Sequence, residues 1–244
     1  ITVPVYQATN WSARGGGKDI VLQTDGKIVA VGWQTFNNSS YPNNGTFMLI
    51  TRLNANGSLD TSFNGSGIQT IEINGNDFAN TVAIQTDGKI IVGGYTQNGS
   101  VTEAIIARLN TDGSLDTSFD TDGIKIISTG NNNDQINAIA LQTDGKIIAC
   151  GRNAATGSGS VLDFMTIRLN SNGSFDTSFN STGVVLTSFS SSFELATCLY
   201  IQADNKILVG GYASTTVSGS TSNNYAILRY NTDGTLDTTF SGDG

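Results

Sequence analysis

Histidine is absent from this 244-residue chain, and proline and cysteine occur only twice each. Charged residues make up 13% of the sequence, about half the share in an ordinary soluble protein. Each scarcity removes a class of function. Without histidine, no side chain has an unperturbed pKa near neutrality for acid–base work. A zinc or copper site would have only Cys150 and Cys198 to supply soft ligands. Those two thiols fall in different repeats of the pattern below, so a disulfide and two buried free thiols both remain open. No apolar run approaches the ~20 residues of a membrane-spanning helix. No signal-peptide pattern is present, and a start at Ile1 without Met is what a trimmed product would show.

The net charge is −8, from 12 Lys and Arg against 20 Asp and Glu. Nucleic acid needs a basic stripe, so it is not an expected partner. Eight of the twelve cations recur at equivalent repeat positions, leaving Arg14, Lys18, Lys125 and Arg152 outside the pattern. What is abundant is glycine, at 29 residues, together with Asn, Ser and Thr. Low charge with 38% hydrophobic residues describes an ordered, turn-rich β protein. It also fits a secreted or cell-surface location. The sequons at Asn10, Asn38, Asn44, Asn98 and Asn180 read first as turn composition and second as glycosylation sites.

Self-comparison exposes the organisation. QTDGKI stands at 23–28, 85–90 and 142–147, with QADNKI at 202–207. Each is followed by a second segment: RLNANGSLDTSF at 52–63, RLNTDGSLDTSF at 108–119, RLNSNGSFDTSF at 168–179 and RYNTDGTLDTTF at 229–240. Repeats 1–67, 68–123, 124–183 and 184–244 tile the chain as a single domain. In the second repeat, strands are expected at 68–73, 81–85, 89–95 and 104–110. Asp87-Gly88 sits between two apolar runs as a hairpin signal, and Asp112-Gly113 ends the last strand. No stretch holds a 3.6-residue apolar period, so no helix is expected.

Four short antiparallel strands per repeat predict an all-β fold, a β-propeller of four blades. The chain opens on ITVPVY, equivalent to the strands at 68–73, 124–129 and 184–189, and stops just before that strand would recur. The N-terminal strand is therefore expected to complete the last blade and close the ring. Two chains closing one larger ring, with the chain as a homo-oligomer, and a slice of a longer array are the alternatives.

The combination QTDGKI…RLNTDGSLDTSF…DG resembles the delta-60 repeat family of bacterial surface and secreted proteins, along the whole chain. The fourth repeat departs mildly, with Asn205 for the turn glycine and Tyr230 for leucine; asparagine tolerates the left-handed turn. The resemblance implies a β-propeller and a surface context and brings no activity with it.

Every repeat places an Asp eight residues after an Arg: Arg52 and Asp60, Arg108 and Asp116, Arg168 and Asp176, Arg229 and Asp237. Four copies at one spacing predict scaffold ion pairs, two-pronged through the guanidinium fork. The D-G-x-x-D ending at Asp116 has the look of a calcium loop, but Arg108 stands where a leading acid would be. An Asx-stabilised turn is favoured, calcium is disfavoured, and no cofactor is expected.

The position after the second apolar run holds Trp33, Tyr95, Arg152 and Tyr212, flat side chains suited to stacking on sugars or to packing between blades. Nearby, the stretch 34–47 with Phe36 and Tyr41, and the stretch 213–224, read as variable binding loops. Asp77, Asp134 and Glu194 precede each repeat's Gln by eight residues, with Gly15 in the first repeat, and are expected to cap turns or hold a cation. Trp11, Phe78 and Phe193 share those loops as candidate anchors. No G-x-S-x-G elbow occurs, and the glycines before Lys18 lack the phosphate-loop frame. The expectation is a non-enzymatic binding module, adhesin- or lectin-like, taking carbohydrate or a surface protein. A structural unit of a fibre or coat is the alternative, and a propeller glycoside hydrolase or lyase the third.

Overall fold

A computed structural model describes residues 12–37, 45–73, 75–130, 133–154, 161–189, 193–217 and 220–244. They form four antiparallel sheets, one per repeat. The first sheet holds β1 (Ser12–Leu22), β2 (Ile28–Asn37), β3 (Gly45–Leu53) and β4 (Ile68–Ile71). The second holds β5 (Asn76–Ile84), β6 (Ile90–Asn98), β7 (Val101–Leu109) and β8 (Ile124–Ile127). The third holds β9 (Gln135–Leu141), β10 (Ile147–Ala154), β11 (Leu162–Leu169) and β12 (Val184–Thr187). The fourth has three strands, β13 (Glu194–Ile201), β14 (Ile207–Val217) and β15 (Ser220–Tyr230). Among the described residues no helix is long and apolar enough to cross a membrane.

Local chemistry accounts for these sheets. Gly26, Gly88 and Gly145 take φ of 82°, 84° and 84° in the hairpin turns, and Asn205 takes 63° in the fourth copy. Asp25, Asp87, Asp144 and Asp204 each accept the backbone N–H of the lysine two residues on. In the first three sheets the fourth strand comes from the next repeat's sequence: β4 pairs with β3 although it opens the second repeat. The repeat as written in sequence and the sheet as folded are thus offset by one strand.

Each inner strand carries a β-bulge, at Lys18, Asn80, Asn137 and Thr197, which the sequence did not announce. A bulge twists its strand and re-aims the extra side chain. Asn80 and Asn137 use it to donate from Nδ2 to the Ile136 and Ala196 carbonyls of the following sheet, at 2.8 and 2.9 Å. Opposite each bulge stands Gly32, Gly94, Gly151 or Gly211. A Cβ there would run into the carbonyl of Gly16, Phe78, Gln135 or Leu195.

Both expected loops are strand in their described parts that adjoin β2, β3, β14 and β15. The stretch 34–47 is β2 as far as Asn37 and β3 from Gly45. The stretch 213–224 extends β14 and β15 in continuous register, with Ser214 opposite Asn223 and Thr215 opposite Ser222. Its composition hid this, because both faces of the ribbon are polar and no apolar alternation marks it. The N-terminal strand expected at 1–6 lies outside the described residues. The two cysteines are free; Cys150 is buried, whereas Cys198 is exposed, so the expectation of two buried thiols fails for one.

Cores form between sheets. Val29, Val31, Met48 and Ile50 of the first sheet pack with Val82, Ile90 and Val92 of the second. Ile91, Ala104 and Ile106 of the second pack with Ile136, Ile147 and Ala149 of the third. Ile148, Cys150 and Phe164 of the third pack with Ala196, Ile207 and Val209 of the fourth. Each inner sheet is therefore apolar on both faces, as its near-continuous apolar strands require.

Candidate functional site

The repeated charges form the scaffold on which any site sits. Arg52 Nε donates to Asp60 Oδ2 at 2.7 Å, and the same bond at 2.7 Å recurs in Arg108–Asp116, Arg168–Asp176 and Arg229–Asp237. The two-pronged fork is not what forms. The guanidinium divides its five donors instead. In the first sheet Nη2 binds the Ser62 hydroxyl at 3.1 Å, and Nη1 reaches across to the Thr111 carbonyl of the next sheet at 2.5 Å. Arg108 bonds the Ser171 carbonyl in the same way, and Arg168 bonds that of Thr232 at 2.5 Å. The arginine thus ties a corner to its own strand and a sheet to its neighbour.

Lysines of the QTDGK turns add to the same aspartates: Lys27 on Asp60 at 3.2 Å, Lys89 on Asp116 at 2.7 Å, Lys206 on Asp237 at 2.6 Å. All four aspartates are held below the usual carboxylate range. At Asp60 the Ser62 hydroxyl is the chief cause. At Asp116 burial opposes, and is outweighed by hydrogen bonds from Lys89 and Ser118 and by the charge of Arg108. Asp112 accepts the Ser114 N–H at 3.0 Å and its hydroxyl at 2.7 Å, an Asx turn.

The non-repeating carboxylates are buried turn caps. Asp77 accepts the Ile73 N–H, Asp134 the Thr129 N–H, and Glu194 the Phe189 N–H, each at 2.8 Å. Each clamps the chain where it leaves an outer strand for the next inner strand. Burial raises the pKa of Asp77 and of Asp134 above the ordinary value. Among the described residues, no cluster of acids and cysteines is arranged to hold a metal.

The flat side chains come together in two groups along one edge of the sheets. Trp33 lies edge-on to Phe78 of the next sheet, ring centres 5.8 Å apart. Phe78 stacks on Tyr95 at 4.8 Å. In the other half, Arg152 sits over the Phe193 ring at 5.9 Å, and Phe193 stacks on Tyr212 at 6.0 Å. Trp33, Tyr95, Arg152 and Tyr212 are all half-buried, each with a surface still open to water. Burial depresses the Arg152 pKa, opposed by the hydroxyls of Tyr95 and Tyr212, and its buried Nε has no hydrogen-bond partner. Phe78 belongs to β5, not to a loop, so it is a spacer in its group and not a free anchor. Trp11 and Tyr41 lie outside the described residues, and of Phe36 only its place in β2 is described.

A cavity of about 680 Å³ lies at the other edge of the first two sheets, lined by Leu22, Gln23, Lys27, Arg52, Gln85 and Thr111. Its walls are the repeated scaffold groups, and it is remote from the aromatic groups.

No curated protein sequence matches this chain. Among solved structures, the β-fructofuranosidase BmSUC1 of Bombyx mori, a GH32 enzyme, is similar at 12% identity and a TM-score of 0.32, over 81% of this chain. A mutant of the same enzyme in complex with sucrose is similar at 12% identity and 0.32, over 79% of this chain. The chain spans 42% and 41% of those structures. A family model described as a β-propeller domain of unknown function, DUF5122, matches residues 23–63, 85–119, 142–179 and 202–240, one segment in each repeat and together more than half of the sequence, and the chain belongs to that family.

Proposed function

We propose that this chain is a non-enzymatic binding module of a secreted or cell-surface protein, taking carbohydrate or a partner protein on the edge that carries Trp33, Tyr95, Arg152 and Tyr212. The delta-60 resemblance supplies the surface context. One observation carries the reading. Four equivalent positions, one per sheet, hold half-buried flat or cationic side chains: Trp33 meets Phe78 of the next sheet edge-on, Arg152 lies over Phe193 of the next sheet, Tyr95 and Tyr212 stack on those two rings, and the Arg152 Nε is unpartnered. Aromatic faces take the apolar side of a sugar ring, and a guanidinium takes its hydroxyls or a carboxylate. No cofactor takes part.

The test is a glycan array with the wild-type chain and Tyr212→Ala and Arg152→Gln variants. Binding that weakens about tenfold in either variant is expected, the loss of one stacked or charge-assisted contact. No binding to glycans or to surface-protein extracts at high concentration would end this reading. The second reading, an assembly unit, is favoured by the bare apolar ends of the sheet row.

A further inference from the structure

Three successive sheet-to-sheet joints in this chain are built from the same parts. The first part is the arginine whose Nη1 reaches the carbonyl of Thr111, Ser171 or Thr232 in the next sheet. The second is a backbone bond: Asn64 N–H to the Asp112 carbonyl at 2.7 Å, Asp120 to Asn172 at 3.0 Å, Asn180 to Asp233 at 2.7 Å. The third is a buried phenylalanine, Phe63, Phe119 or Phe179, lying where a Cβ on Gly113, Gly173 or Gly234 of the next sheet would be. The fourth is the apolar back face of one sheet on the front face of the next.

The two ends of the row carry the unused halves of this joint. On β15, Tyr225 and Ile227 are 98% and 57% exposed. Their equivalents Met48, Ala104 and Phe164, and Ile50, Ile106 and Thr166, are fully buried. The other face of β15 is covered, with Ala226, Leu228 and Tyr230 packed on the third sheet. At the opposite end, Ile20 and Leu22 of β1 are 71% and 68% exposed, whereas Val82, the equivalent of Ile20, is 7% exposed and Ile84, the equivalent of Leu22, is partly buried against the core. The polar parts agree. The Arg229 side chain is 21% exposed against 5%, 7% and 6% for the other three. Phe240 is only half-buried where Phe63, Phe119 and Phe179 are fully buried. Ser241 already holds φ 56°, the conformation of Asn64 at 48° and Asn180 at 50°, and Gly57 is only half-buried where Gly113 is buried.

We propose that a second copy of this chain docks head to tail, its first sheet on this fourth sheet, through a further copy of the same joint. The occupant follows from continuity with the three internal joints. Ile20 and Leu22 of one copy cover Tyr225 and Ile227 of the other. Phe240 seats on the Gly57 of the other copy, and Arg229 Nη1 takes the carbonyl of its Ala55, the equivalent of Thr111. Among the described residues no core joins the first sheet to the fourth, and the outer faces of both are exposed. The second copy supplies four further sheets and the reciprocal seam. Apolar faces of this kind, with a few polar bonds at the rim, are what a lasting interface offers.

Size-exclusion chromatography with light scattering tests this. The wild type is expected at about twice 25.5 kDa. Leu22→Asp and Ile227→Asp are each expected to lose the dimer, since each charges one half of the joint. An equimolar mixture of the two regains a dimer, because one supplies an intact fourth sheet and the other an intact first sheet. Tyr225→Asp repeats the test at a position so exposed that a charge there leaves the single chain folded. A wild type that stays monomeric at every concentration overturns the proposal. So does a dimer that survives both substitutions, or a mixture that regains nothing.

Discussion

A repeated arginine eight residues before an aspartate reads in sequence as an ion pair, and the pair is there in every sheet. What the spacing did not convey is the third partner. The Nη1 bond spans 59 to 64 residues, reaching the next repeat's backbone, and no residue type marks a carbonyl as an acceptor. The contribution of Lys89 to the same aspartate was hidden similarly, because the QTDGK turn looked complete in itself. Asp116→Ala strands a buried guanidinium, and a loss of about 3 kcal/mol is expected in denaturant unfolding; an unchanged midpoint would deny the pair its scaffold role. The acids divide by sign. Asp60, Asp116, Asp176 and Asp237 have folded pKa values below the unfolded one, so their stabilisation is present above about pH 4 and is lost as pH falls further. Asp77 has a raised folded pKa, so its ionised form costs stability at neutral pH. Asp77→Asn should raise the melting temperature at pH 7, and the gain should shrink as pH falls through the raised pKa. Melting curves across pH check the sign, and a destabilised variant at pH 7 would reverse it.

Elements were legible where glycine and aspartate punctuate them. The hairpin turns fell where Asp87-Gly88 and its equivalents put them, because a positive φ needs glycine or asparagine. Strand ends were not. β5 starts at Asn76, five residues before the expected strand, because Asp77 and Phe78 extend the pairing into what reads as a polar loop. The bulge at Asn80 is set by how the inner strand meets the next sheet, which sequence alone does not display. Two glycine positions distinguish turn from joint. Gly113→Ala meets both a φ of 90° and the Phe63 ring 2.8 Å away, and should cost about 3 kcal/mol. Gly26→Ala has a similar φ of 82° with its nearest neighbour at 3.5 Å, and should cost about 1 kcal/mol. Equal losses in the two unfolding curves would remove the joint from the explanation.

At the scale of the whole molecule, the four-sheet row was legible because every repeat is a single supersecondary unit that must bury two faces. The aromatic edge was legible as four equivalent positions, though Phe78 and Phe193, which weld its two groups across the sheets, were read as loop anchors. The state of the ends was not legible, since it depends on whether a bare face finds a partner. Repeat proteins of this kind behave as a sum of units and of interfaces between neighbours. That makes the four equivalent arginines a direct probe. The measurement is denaturant unfolding, at low protein concentration, of Arg52→Gln, Arg108→Gln, Arg168→Gln and Arg229→Gln. The first three break both a corner and a joint and should each lose about 3 kcal/mol, whereas Arg229→Gln breaks the corner alone and should lose clearly less. Equal losses at all four positions would contradict a molecule built from one repeated joint with its last copy left open.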